Sequence, residues 1–113
     1  PGVVALSLAA LGGACGGDDD TTDAPTVAIA LGPYTIEPAD LTITAGPVTL
    51  EVTNVDSIPH NLVVASKGTR TLAPGESQSL PADIAVGEYR MWCDIPGHAD
   101  LGQVGTLRAV AGP

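Results

Sequence analysis

The sequence predicts an all-β protein, a sandwich of short strands around a single core. Apolar and polar residues alternate with period two in several separate runs, which is typical of strands with one buried face. Gly and Pro, 14 and 10 of the 113 residues, interrupt these runs at short intervals. No stretch shows the 3.6-residue period of an amphipathic helix. The length suits one domain with little left for a second.

The strands of the first half follow from this alternation. In 27–31 and 41–45, every second residue is aliphatic, and a Gly-Pro pair ends each run. A short strand at 34–37 ends at a proline, and 48–53 alternates Val and Leu with Thr and Glu. Because aromatics make up only 3 % and Phe is absent, we expect the core to be aliphatic.

The second half contains a turn at 54–59 that leads to His60. By period two His60 shares a face with residues 62 and 64, so its ring should point into the end of the sandwich. Further strands are predicted at 70–72, 77–80, 89–93 and 105–110. In 89–93 Met91 and Cys93 face inward and Trp92 faces outward. We therefore expect Met91 to be a core residue.

The charge restricts the possible partners. The formal net charge is −9, and four aspartates before residue 24 leave −5 on the remainder. Four Lys and Arg residues are too few for nucleic acid, whose phosphates need cations. An acidic surface favours a protein partner with a basic docking face.

Residues 1–15 are predicted to be the remnant of a signal peptide with a lipobox. The apolar run 3–11 is about half the roughly twenty residues that span a bilayer. Cys15 resembles the acylated cysteine of a bacterial lipoprotein, although Leu11 lies one place earlier than usual. The alternative is plain secretion, with Cys15 removed or in a disulfide. The lipoprotein interpretation predicts an exported domain, periplasmic or at the cell surface, anchored to the cytoplasmic membrane by lipid on Cys15.

Residues 16–26 predict a disordered acidic linker, because GGDDDTTDAPT buries nothing and repels itself. Residues 27–113 then form the folded domain. In this arrangement the linker would be the spacer between an anchored cysteine and the domain.

A candidate metal site lies in YRMWCDIPGHADLGQVGTL, which contains Cys93, His98 and Gln103. His60 is the second histidine of the chain. Alone, a buried Cys is usually a small hydrophobic residue and a His is usually no ligand. Together, a thiolate, two imidazoles and a weak axial donor are the ligands of a blue-copper site, and an amide oxygen is one such donor. Zinc stays an alternative, because Cys, His and oxygen ligands suit it also.

The stretch CDIPGHADLGQVGTL resembles the C-terminal copper loop of the cupredoxins, the superfamily of plastocyanin, azurin and halocyanin. The family pattern of Cys, a Pro-Gly-His turn and two later glycines matches Cys93, Pro96, Gly97, His98, Gly102 and Gly105. His60 opens a second matching segment, HNLVV. Where most members carry Met, this chain has Gln103, as stellacyanin does. The resemblance spans about 27–110 and implies a Greek-key β-sandwich of about seven to eight strands.

The resemblance further implies a monomeric electron carrier rather than an enzyme, with one type 1 copper ion cycling between Cu(I) and Cu(II). His60 and His98 would bind through their δ-nitrogens, with Cys93, and Gln103 would be axial. Asn61 would brace the loop and donate its backbone N–H to the sulfur. Redox partner proteins would dock near His98 on an apolar patch of Pro59, Ile95, Pro96, Ala99 and Leu101.

Three alternatives stay open at this point. Trp92, beside Cys93, is a second electron route or only a half-buried surface aromatic. The domain could also deliver copper without a redox partner, although its one Met and two His are few for that role. Finally, it could be an interaction module that binds no metal, which the intact set of three ligands argues against.

Overall fold

The computed structural model describes residues 24–112, which form two β-sheets packed face to face. Within this range there are nine strands: β1 (Thr26–Gly32), β2 (Thr35–Glu37), β3 (Asp40–Thr44), β4 (Gly46–Asn54), β5 (Val63–Val64), β6 (Lys67–Gly68), β7 (Ser77–Ile84), β8 (Gly87–Trp92) and β9 (Val104–Val110). A 3-10 helix, Ala99–Leu101, precedes β9. The all-β sandwich is confirmed, and the count of nine includes two strands of only two residues.

The two sheets have the strand orders β2-β1-β4-β7 and β3-β9-β8-β5-β6. Two strand pairs, β1 with β4 and β3 with β9, are parallel, so the chain crosses between the sheets to make them. The inner faces bury an aliphatic core that includes Leu31, Leu50, Leu62, Met91 and Leu107. Met91 is 0 % exposed, which confirms its predicted place in the core.

Several predicted boundaries were wrong. No strand forms at 70–72, where Leu72 makes only an isolated bridge with His60. Strand β7 continues through Pro81 to Ile84. A proline is tolerated there because β7 is the edge strand of its sheet, so its missing N–H breaks no ladder bond on the outer side.

The predicted signal remnant and most of the predicted linker lie outside the described residues. The first strand begins at Thr26, which pairs with Thr49 and was assigned to the linker by the sequence. In the described part of the chain, no helix has both the length and the apolar character needed to cross a membrane.

Candidate metal centre

Three predicted ligands meet at one end of the sandwich. His60 follows the turn after β4, Cys93 follows β8 directly, and His98 precedes the 3-10 helix. One side-chain donor atom from each lies within 4.8 Å of the other two. His60 and Cys93 are buried, whereas His98 is half-buried. The fold therefore brings together residues that are up to 38 positions apart in the chain.

The donor atoms face one another at short range. The Nδ1 atoms of His60 and His98 are 3.2 Å apart, and Nδ1 of His98 is 3.5 Å from the sulfur of Cys93. A thiolate and unprotonated imidazole nitrogens are all electron-pair donors, so such a group needs a proton or a metal cation among them. The donor set thus fits a small soft cation.

The His60 ring is fixed from behind by a carboxylate. Its Nε2 lies 2.8 Å from Oδ2 of Asp56, and the His60 side chain is 0 % exposed. The hydrogen bond with His60, followed by one from the Ser57 backbone, lowers the pKa of Asp56 below its usual value. Because Nε2 is occupied by this contact, Nδ1 is the nitrogen available to a metal.

The turn that carries Asp56 is held by a buried amide at the end of β4. The Nδ2 of Asn54 donates to the carbonyls of Ile58 and Leu72 at 2.8 and 2.9 Å. Its Oδ1 accepts the N–H of Asp56 at 2.9 Å. Asn54 is 0 % exposed, so these three bonds replace water contacts and make the turn rigid.

The Cys93 segment is tied to the His60 segment by a pair of hydrogen bonds. Asn61 Nδ2 donates to Oδ1 of Asp94 at 2.7 Å, and the N–H of Asp94 donates to Asn61 Oδ1 at 3.0 Å. Asn61 therefore does brace the loop, through its side chain. A bond from its backbone N–H to the sulfur stays a prediction.

His98 lies on a tight loop whose turns depend on glycine. Its N–H donates to the carbonyl of Ile95 at 3.0 Å, closing a turn with Gly97 at φ 88°. Gly102, at φ 116°, ends the 3-10 helix in the left-handed region, where a side chain is strained. Next to it Leu101 is 62 % exposed, so this edge of the site has an apolar surface.

Gln103 lies at the site but is not one of the three clustered ligands. It is 0 % exposed, and its Nε2 donates to the carbonyls of Gly32 and Thr35 at 3.1 and 3.0 Å. Its Oε1 is buried without a hydrogen-bond partner among the residues that the structure describes. A buried amide oxygen normally has a partner, so this atom has a free electron pair for a ligand.

Two contributing residues, Asp56 and Tyr34, were not identified from the sequence. The ring of Tyr34 meets His98 edge-on at 5.2 Å between centroids and His60 at 6.3 Å. Tyr34 has φ 56°, which is rare for a bulky residue and is found at constrained sites. A signal existed in each case: Tyr34 is one of only two tyrosines, and Asp56 lies four residues before His60.

Trp92, the last residue of β8, lies on the opposite face of the strand from the buried Met91, as predicted, and the buried Cys93 follows it directly. It is half-buried, and the guanidinium of Arg90 is 5.2 Å from the centre of its ring. This cation–π contact explains why an aromatic side chain is stable at the surface of the sheet.

A two-sheet sandwich with a His-Cys-His cluster at one end defines a class of small metal-binding β-proteins. A family model for the cupredoxin-like domain matches residues 3–104. The chain belongs to the cupredoxin-like family. No curated protein matches it in sequence.

Solved structures with this fold include proteins from three named bacteria. A dithionite-reduced auracyanin from Roseiflexus castenholzii is 20 % identical, with a TM-score of 0.70 over 75 % of this chain and 96 % of that one. Auracyanin A from Chloroflexus aurantiacus, described as a "blue" copper protein, is 20 % identical, with a TM-score of 0.68 over 76 % and 99 %. An azurin from Methylomonas sp. strain J is 16 % identical, with a TM-score of 0.67 over 75 % and 97 %. These likenesses establish the fold.

Proposed function

We propose that this protein is an electron carrier that holds one type 1 copper ion between His60, Cys93 and His98. The observation that carries the proposal is the convergence of one donor atom from each of the three residues within 4.8 Å, with the two Nδ1 atoms 3.2 Å apart. When bound, copper would supply one-electron chemistry between Cu(I) and Cu(II). The three side chains come from separate elements of a rigid sandwich, which limits their movement when the charge of the site changes.

Gln103 is proposed as the weak axial ligand. Its amide nitrogen is held by two carbonyls, which fixes the amide plane and leaves Oε1 as the buried atom with a free electron pair. An amide oxygen is harder than a thioether and favours Cu(II) over Cu(I). We therefore expect a lower reduction potential than in a form of this chain with Met at position 103.

His98 is proposed as the place where electrons leave and enter. Of the two histidines it is the more exposed, and the predicted docking patch of Pro59, Ile95, Pro96, Ala99 and Leu101 includes a 62 % exposed leucine. The net charge of −5 after residue 23 supports a redox partner with a basic docking face. Such a charge steers the approach, while the apolar patch forms the contact.

The location of the protein is likewise a proposal. The apolar stretch before Cys15 and the acidic residues after it support export, a lipid anchor on Cys15 and a spacer to the domain. Mass spectrometry of the membrane fraction tests this proposal directly, because an acylated Cys15 shifts the mass of the N-terminal peptide. A Cys15→Ser variant that stays on the membrane would contradict it.

Addition of Cu(II) to the metal-free protein tests the function. We expect one equivalent to give an intense blue or green-blue absorption from sulfur-to-copper charge transfer, which bleaches with ascorbate. The matched control is Cys93→Ser, which keeps the buried volume and should stay colourless. A colourless wild-type protein would contradict the proposal and leave a zinc site or a metal-free module. A blue protein with very slow electron exchange would instead indicate copper storage or delivery.

A further inference from the structure

Asp56 occupies an unusual position behind the metal centre. Its Oδ2 is 2.8 Å from Nε2 of His60, and its own side chain is only 13 % exposed. The imidazole ring of His60 separates this carboxylate from the cluster of donor atoms, which contains His60 Nδ1. A negative charge is thus held one ring away from the proposed ion, on a side chain that is largely shielded from solvent.

The carboxylate is itself held in place. Its Oδ1 accepts the backbone N–H of Ser57 at 2.7 Å, while the Asp56 N–H is bound by the buried Asn54 side chain at 2.9 Å. Asn54 also anchors the rest of the turn through Ile58 and Leu72. Since the turn and the carboxylate are both constrained, the contact with His60 needs little ordering when a metal binds.

We propose that Asp56 is a positioning residue for His60, and that its charge favours the more highly charged oxidation state of the bound ion. The inference rests on the proposed function. A hydrogen bond from Nε2–H to a carboxylate fixes the tautomer whose Nδ1 is unprotonated and makes that nitrogen a better donor. The attraction of one negative charge is stronger for Cu(II) than for Cu(I).

Two variants separate the position of the ring from the charge. Asp56→Asn keeps an oxygen that can accept from His60 but removes the charge, whereas Asp56→Ala removes both. Asp100→Asn is the matched control, because it removes an exposed carboxylate two positions from His98, and the hydrogen bonds of the two ligand rings within the described residues do not include Asp100. Each protein is prepared as the full chain. The readouts are the copper reduction potential by voltammetry and the affinity for Zn(II) by competition with a chelator.

Asp56→Ala should bind Zn(II) about 10- to 100-fold more weakly, the usual effect of removing a residue that orients a metal-bound His. Asp56→Asn should keep most of the Zn(II) affinity but change the ratio of Cu(II) to Cu(I) binding about tenfold towards Cu(I). That change equals a potential about 59 mV higher for a one-electron couple. Asp100→Asn should shift the potential by a smaller amount, because solvent screens its charge.

Two results would overturn the inference. Zn(II) affinity that is unchanged in Asp56→Ala removes the positioning role. A potential of Asp56→Asn no higher than that of Asp100→Asn removes the role of the charge. If Asp56→Ala does not fold, the reduction potential of the isosteric Asp56→Asn variant still tests the role of the charge. Failure of the function is distinguishable, because a wild-type chain that never turns blue would still give the Zn(II) comparison.

Discussion

The two halves of the metal centre are built differently. In the half around His60, the His60 and Asn54 side chains are 0 % exposed; the carboxylate of Asp56 contacts Nε2 of His60, and Asn54 in turn accepts the N–H of Asp56. The half around His98 is a loop with a half-buried ring, two left-handed glycines and an exposed leucine at its edge. One half is therefore defined by buried polar contacts, and the other by turn geometry.

This difference suggests that the two halves have different roles: one positions a donor atom and the other makes the site accessible to a partner. Buried hydrogen bonds set the position of a donor atom tightly, since each bond lost in the interior costs about 1–3 kcal/mol. A loop near the surface can change its side chains at lower cost and brings His98 within reach of a partner. We expect substitutions that remove a hydrogen bond from the buried half to change metal affinity and stability, and substitutions in the surface loop to change electron exchange. The reduction potential should respond to both halves, to the charge of Asp56 in one and to the axial donor Gln103 in the other.

The largest contrast between the halves should appear when each histidine is replaced by glycine and free imidazole is added to the solution. Both His60→Gly and His98→Gly should lose the blue absorption because a ligand is missing. Added imidazole should restore the colour of His98→Gly at a concentration at least about tenfold lower than His60→Gly requires. The reason is access: the space left at position 98 opens towards solvent, whereas the His60 side chain is 0 % exposed. Titration with imidazole, followed at the blue band, measures this.

Glycine is used at both positions so that the two cavities differ only in place. Cys93→Gly with added imidazole is the control and should stay colourless, because no thiolate is present. Equal imidazole requirements for the two histidine variants would contradict the comparison between the halves.

A smaller effect is expected when the support of the buried half is removed. Asn54→Ala leaves the Ile58 carbonyl and the N–H of Asp56 without their partners, and it removes one of the two bonds to the Leu72 carbonyl, which keeps the N–H of His60 at 3.2 Å. Each of the two unpartnered groups costs about 1–3 kcal/mol and the lost bond to Leu72 about 1 kcal/mol, so the free energy of unfolding should fall by about 3 kcal/mol or more. Urea unfolding of the metal-free protein measures the loss. Ser77→Ala, which removes an exposed bond to Thr53, should change stability by less than about 0.5 kcal/mol.

The strands were predictable where they are long and one-sided. Alternation identified β1, β3 and β4 because each buries every second side chain against one core. It missed β5 and β6, whose two residues are too few to show a period. The turn between them has positive φ at Ala65 and Ser66, residues that seldom adopt it, so no turn signal was present.

The three ligands could be predicted because their chemistry and spacing carry the signal. The support around them could not, because it depends on side chains far apart in sequence. Tyr34 lies between β1 and β2 and meets His98 only in the folded sandwich, and such a non-local contact has no local sequence pattern. Asp56 was close in sequence, but a turn aspartate is more often a capping residue than the partner of a ligand.

The loop half also ends in one buried polar residue, Gln103, whose role Gln103→Met tests. If Gln103 is the axial donor, exchange of its oxygen for a thioether should raise the potential, by at least the roughly 59 mV of a tenfold change in relative affinity. The substitution also removes the donors to the carbonyls of Gly32 and Thr35. Those two lost bonds should lower the free energy of unfolding by about 2 kcal/mol, less than Asn54→Ala does.

Voltammetry and urea unfolding of the same variant separate these two roles. Gln103→Glu is the companion variant: it keeps oxygen at the metal and loses the amide donors, so it should be destabilised without the rise in potential. An unchanged or lower potential in Gln103→Met, with the stability lost as expected, would remove Gln103 from the copper. Gln103 would then only connect the ligand loop to the turn after β1 through its hydrogen bonds, and its unpartnered Oε1 would need another explanation.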